Sequence, residues 1–170
     1  MSALLNRGAK TTGSWLALAA SYGAAQAVSA AAARRLRSRP IPEQYRKELC
    51  QPRFAPPTWV FPVAWSLLNV TTATSAWRLW RRDAGSSGRE AGLAWWFLAL
   101  LVRSGYVPLA FGRRQLWLAT ADAALLALTM TVYAAQARRA DSPAAALALP
   151  EIGWTAFATV LSAAIAHHQR

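Results

Sequence analysis

Charged residues in this chain are gathered into short clusters, and long apolar stretches run between them. With the clusters as punctuation, five candidate helices emerge, at about residues 15–33, 58–79, 91–111, 115–137 and 144–166. Each approaches the roughly 20 mostly apolar residues that a helix needs to cross a bilayer at 1.5 Å per residue. Pro56 and Pro57 stand at the entry to the second span, where the first helical turn has no use for its N–H groups. One charge interrupts each of the last three spans: Arg103, Asp122 and Glu151. The segment 34–57 forms a long first loop, while the other connections are short and force antiparallel neighbours. The pattern therefore predicts an all-α fold, a five-helix transmembrane bundle, with residues 1–170 as one membrane domain.

Composition agrees, since 55% of the residues are hydrophobic and only 15% charged. A soluble helical domain would spread its charges along every helix. The first span is the least apolar, but its Ala, Ser and Gly are residues that closely packed membrane helices use at their contacts. The formal charge of +12 would suit nucleic acid only if it formed a basic face on a soluble domain. Instead Arg34, Arg35, Arg37, Arg39, Arg46, Lys47 and Arg53 fill the first loop, and Arg78, Arg81, Arg82 and Arg89 cluster around the end of the second span. Such positions fit anionic lipid headgroups, so the expected partner is a lipid membrane and not nucleic acid. Lys and Arg divide almost evenly between the two sides, which leaves orientation open. Cys50 is alone and His167 and His168 point to different sides of a helix, so no disulfide or metal site is expected. No arrangement of side chains suggests catalysis, and the chain reads as a non-enzyme.

Helical spacing nevertheless brings distinctive groups to common faces. Phe61, Trp65 and Asn69 recur every four residues in the second span, and Trp154, Ala158 and Leu161 do much the same in the fifth. Arg103 and Tyr106 share a face of the third, and Leu118, Asp122 and Leu125 one of the fourth. A flat aromatic ligand could stack on Trp65 and Trp154. Trp15, Trp77, Trp80, Trp95, Trp96 and Trp117 lie near span ends, where tryptophan commonly anchors a helix at the membrane interface. Arg103 and Asp122 lie at similar depth from the turn around Gly112–Arg114, which predicts an ion pair between them.

The ordered motifs Pro56-Pro57-x-Trp59-Val60-Phe61-Pro62-x-x-Trp65-x-x-Leu68, Phe111-Gly112-x-Arg114-Gln115, Ala121-Asp122 and Leu149-Pro150-x-x-x-Trp154-x-x-Phe157-Ala158-x-x-Leu161 carry a resemblance. The chain resembles the translocator protein family, also called tryptophan-rich sensory proteins, over nearly its whole length. That resemblance implies an integral membrane protein of a bacterial envelope or eukaryotic organelle, often dimeric, so a homodimer is an expected assembly. It also implies a cavity under the first loop that takes porphyrin, haem or, in animal members, sterol. No cofactor is required. The lining it implies comprises Phe61, Pro62, Trp65, Asn69, Arg103, Tyr106, Leu118, Asp122, Trp154, Ala158 and Leu161. The chain departs from the family pattern at Arg103 and Tyr106, where an Asn and a Trp are usual, at Asn69, where a Tyr is, at Glu151, where a Tyr follows the proline, and at Ser162, where an Asn closes the fifth span. The branched-apolar, Tyr, Lys/Arg pattern associated with cholesterol is absent after Val160, so a tetrapyrrole is the stronger expectation and a sterol-like molecule the weaker. The function so implied is binding for sensing or transport. A porphyrin-modifying enzyme and a structural or regulatory membrane subunit are the alternatives.

Overall fold

The computed structural model describes residues 52–107, 109 and 115–168, together with 20, 23 and 31. Among the described residues four helices follow one another: α1 (Val60–Trp80), α2 (Arg89–Val107), α3 (Leu116–Ala140) and α4 (Ser142–His167). They match the last four predicted spans to within a few residues, except that α2 ends at Val107 and the stretch to Phe111 lies largely outside the described residues. The predicted first span and most of the first loop also lie outside them, although residues 20, 23 and 31 are helical. The architecture is all-helical.

Adjacent helices in the chain pack against one another, and α1 closes the arrangement by packing on α4. The tightest connection is the single residue Asp141 between α3 and α4. Its carboxylate accepts the Ala144 N–H at 3.0 Å and so caps α4, with Pro143 in the first turn behind it. Arg82 of the segment after α1 reaches the same carboxylate at 2.7 Å and Arg78 at 3.4 Å. Burial pushes the Asp141 carboxyl up, but the Ala144 N–H and the two guanidinium groups outweigh it and hold it below its ordinary 3.8. The α1–α2 turn depends on Gly88, whose φ of +85° is strained for other residues and whose missing Cβ would lie 2.3 Å from the Gln136 carbonyl of α3.

The buried core is concentrated at this same end. It joins Ala76 and Leu79 of α1, Leu93, Trp96, Ala99 and Leu100 of α2, Leu126, Met130, Tyr133, Ala134 and Ala137 of α3, and Ala145 and Ala148 of α4. Alanines let α3 and α4 approach closely. A polar tie crosses the packing: Ser75 donates to the Ala144 carbonyl at 2.6 Å and meets the Tyr133 hydroxyl at 2.6 Å.

Two of the helices, α3 and α4, are long and apolar enough to cross a membrane by length and composition alone. Helix α1 carries a run of hydroxyl residues, three of which bond back to their own helix. Ser66 donates to the Pro62 carbonyl at 2.8 Å, Thr71 to Leu68 at 3.0 Å and Thr74 to Val70 at 2.7 Å. Hydroxyls bonded back to their own helix need no water in an apolar surround.

Candidate functional site

Where the core ends, the helices separate around a cavity of about 210 Å³. Phe61, Trp65 and Asn69 of α1, Arg103 and Tyr106 of α2, Asp122 of α3, and Trp154 and Ala158 of α4 all line it, as the helical spacing groups them. Ala123, Leu126 and Thr155 complete the lining. Pro62 and Leu118 are exposed on the outside of their helices, and Leu161 is buried in packing. The reason lies in the helix period: a step of four residues drifts by about 40°, so a stripe that begins in the cavity leaves it within a turn or two. Leu118 falls off one edge of the Asp122 stripe, and Leu126, four residues on, stays inside. That drift is the signal by which Leu126 could have been found.

One wall is aromatic. Phe61 and Trp154 meet edge to face with ring centroids 5.8 Å apart. Trp154 continues to Phe157 at 5.6 Å, and Phe157 to Phe54 at 6.5 Å. Phe54 belongs to the end of the first loop, so that end rests on α4. Tyr45 and the remainder of the loop, expected to cover the cavity, lie outside the described residues. Trp154 also borders an apolar outer groove shared with Phe54, Leu67 and Pro150.

The opposite wall is polar and differs from the expectation. Arg103 does not pair with Asp122: its guanidinium is bound to Glu151 of α4, and it donates to Asn69 Oδ1 at 2.7 Å. Glu151 is fully buried, and its second oxygen accepts from Thr72. The Arg103 guanidinium also lies 5.5 Å from the centre of the Trp65 ring. Equal depth placed Arg103 and Asp122 at the same level but said nothing about direction, and the arginine side chain is long enough to cross to α4 instead. Asp122 packs against α2 where Gly105 leaves room; a Cβ there would lie 2.8 Å from Asp122 Oδ1. The other oxygen of Asp122, Oδ2, is buried with no hydrogen-bond partner, as is the Trp154 indole Nε1. Tyr106 and Ser162 hydroxyls meet at 2.8 Å. Glu151 is the functional residue that spacing missed, although as a lone acid inside an apolar span it carried its own signal.

At the packed end a second, more open cavity of about 220 Å³ lies between Trp77, Arg78, Arg81 and Arg82 around Asp141. Arg81 stacks on the Trp77 ring at 4.8 Å.

Apolar helices joined by tight turns, with a buried ion pair and an aromatic-lined cavity between them, define a helical membrane protein with an internal cavity. The sequence pattern of the TspO/MBR family matches residues 15–168, and the chain belongs to that family; it is an integral membrane protein. Among curated relatives, protein CrtK of Rhodobacter capsulatus is 32% identical over 93 residues, which cover 55% of this chain and 57% of that protein. The translocator protein of Ovis aries is 29% identical over 116 residues, covering 67% and 68%. The tryptophan-rich sensory protein of Cereibacter sphaeroides is 29% identical over 123 residues, covering 71% and 74%.

Proposed function

We propose that this protein binds a flat hydrophobic ligand, with a tetrapyrrole as the ligand class, in the cavity between α1 and α4 and uses that binding for sensing or transport. The observation that carries the reading is that Phe61, Trp65 and Trp154 line a partly open cavity with only a few polar groups. A macrocycle offers a large π-face, and stacking contributes about 0.5–1.5 kcal/mol per aromatic partner beyond the burial of area. The names of two relatives, translocator protein and tryptophan-rich sensory protein, speak of translocation and sensing and support a binding role.

A metal-free ring suits the lining better than haem. The described lining residues include no His, Met or Cys to serve as an axial ligand, and the one tyrosine, Tyr106, is already hydrogen-bonded to Ser162. The carboxylates of a porphyrin would not find Arg103 free, so the macrocycle enters ring first and leaves them towards the mouth.

Titration of the purified protein with protoporphyrin and with haem, followed by tryptophan fluorescence, tests the reading. Saturable quenching with tighter binding of protoporphyrin is expected, and its absorbance should stay constant in the dark. Absence of saturable binding would overturn the proposal, and loss of absorbance would move it towards chemistry.

A further inference from the structure

The polar side of the cavity decides what kind of group a ligand can bury there. Arg103 is the only cation among the described lining residues, and it is consumed within the protein. Glu151 neutralises it, Asn69 takes a second donor and the Trp65 ring covers it. A ligand carboxylate meeting Arg103 would compete with the fully buried Glu151 for the same positive charge, and would leave a net negative charge in an apolar surround. Asp122 is in the opposite situation. Its carboxyl lines the cavity, no ion pair in the described residues reaches it, and Oδ2 lies buried without a donor. A rotation about the last side-chain bond exchanges its two oxygens, so either can turn to an incoming group.

We infer that the cavity selects ligands whose buried edge carries a hydrogen-bond donor, above all a cationic nitrogen, which Asp122 receives while the aromatic wall takes the ring. The inference rests on the reading of the cavity as a ligand site, not on a tetrapyrrole as its occupant, and adds the chemical class of the group that is best buried there. With Arg103 and Glu151 paired, Asp122 is the unpaired acid of the described lining, and a desolvated carboxyl is stabilised by a donor and most by a charged one. The unpartnered Trp154 indole N–H adds a place for an acceptor atom on the same ligand. Anionic edges meet repulsion from Asp122 and no free cation, so they remain at the mouth.

Three flat three-ring probes of nearly equal shape test this: 9-aminoacridine, a cation with N–H donors; anthracene, neutral; and anthracene-9-carboxylate, an anion. Each is titrated into the full-length protein in neutral detergent, followed by tryptophan quenching and by competition with protoporphyrin. The amine should bind at least tenfold more tightly than the carboxylate. Asp122→Asn, which keeps the side-chain shape, should remove most of that advantage and leave anthracene within about twofold. Glu151→Gln, which uncovers the Arg103 charge, should shift preference towards the carboxylate, and circular dichroism confirms that both variants stay helical. If the carboxylate binds the unmodified protein as well as the amine does, or if Asp122→Asn leaves their ratio unchanged, the assignment of Asp122 is overturned, while saturable anthracene binding displaced by protoporphyrin would keep the cavity reading intact. If none of the probes and no protoporphyrin binds saturably, the cavity reading fails and the inference with it.

Discussion

The two halves of the bundle are built from the same four helices and serve opposite ends. In one half, Leu79, Trp96, Met130 and Tyr133 are almost completely buried against a dense set of alanines, and Asp141 and Gly88 fasten the turns. In the other, aromatic side chains of similar size stand around open space, beside a buried Asp122 oxygen that has no partner; indole nitrogens without one occur in both halves, at Trp96 and at Trp154. Filling every gap stabilises a helix bundle; leaving gaps and unmet hydrogen bonds costs stability and is tolerated where a ligand can repair both. The packed half therefore supplies the stability that the open half gives up.

The sharpest test of that division is to remove one large aromatic from each half. Trp96→Ala should destabilise the protein by about 3–5 kcal/mol, the usual cost of deleting a fully buried large side chain, with little direct effect on ligand affinity. Thermal or denaturant unfolding in detergent measures the first, and protoporphyrin titration the second. A loss below about 1 kcal/mol would mean that the packed half is not where stability resides.

A second variant probes the seam between the halves. Glu151→Leu should cost about 3–5 kcal/mol, because it strands a buried guanidinium, whereas Arg103→Leu combined with Glu151→Leu should be much milder. A double-mutant cycle reads the coupling, and the same cycle on Arg103 and Asp122 should be close to additive. Strong coupling in the latter pair would restore the partnership that depth alone suggests.

That partnership shows where legibility in the sequence stopped. Positions of the last four spans follow from charge clusters and apolar length, and the grouping of Trp65, Asn69, Tyr106 and Trp154 around one space follows from helical spacing. The choice of Glu151 over Asp122 depends on how four helices are rotated about their own axes, and no single-span pattern contains that information. Leu118 and Pro62 were misplaced for the same reason, since each lies one helical step beyond the arc that faces inward. Ala123 and Thr155 are small or weakly polar residues beside recognised ones, and nothing in their identity marks them.

At the packed end, Asp141→Asn should cost about 0.5–2 kcal/mol by weakening a helix cap and two arginine contacts. The sign with pH follows from its lowered pKa: the contribution is fully present above the unfolded value near 3.8 and is lost as pH falls through the depressed folded value. Unfolding measured from pH 6 down to the acid limit should show this loss in the parent and a flatter profile in the variant. An equal slope in both would assign the acid sensitivity elsewhere. The smallest expected effect belongs to the open half. Trp154→Ala should weaken protoporphyrin binding by about 0.5–1.5 kcal/mol with only a modest change in unfolding, because the ring borders a void and not a packed neighbour on one side. Unchanged affinity would remove Trp154 from the site.

Between the last core alanine of α4, Ala148, and the ion-paired Glu151 stands Pro150, inside the helix. Proline has no N–H to give the carbonyl four residues earlier, and its ring crowds that turn, so the ladder of hydrogen bonds is broken at this point. Helix α4 still runs through this point from Ser142 to His167, with one rung of its ladder missing. The part before it is held by the Asp141 cap, the Ser75 bond to the Ala144 carbonyl and the alanine packing, and the part after it carries Trp154 to the cavity. The weakest rung of α4 therefore falls at the border between the packed end and the cavity.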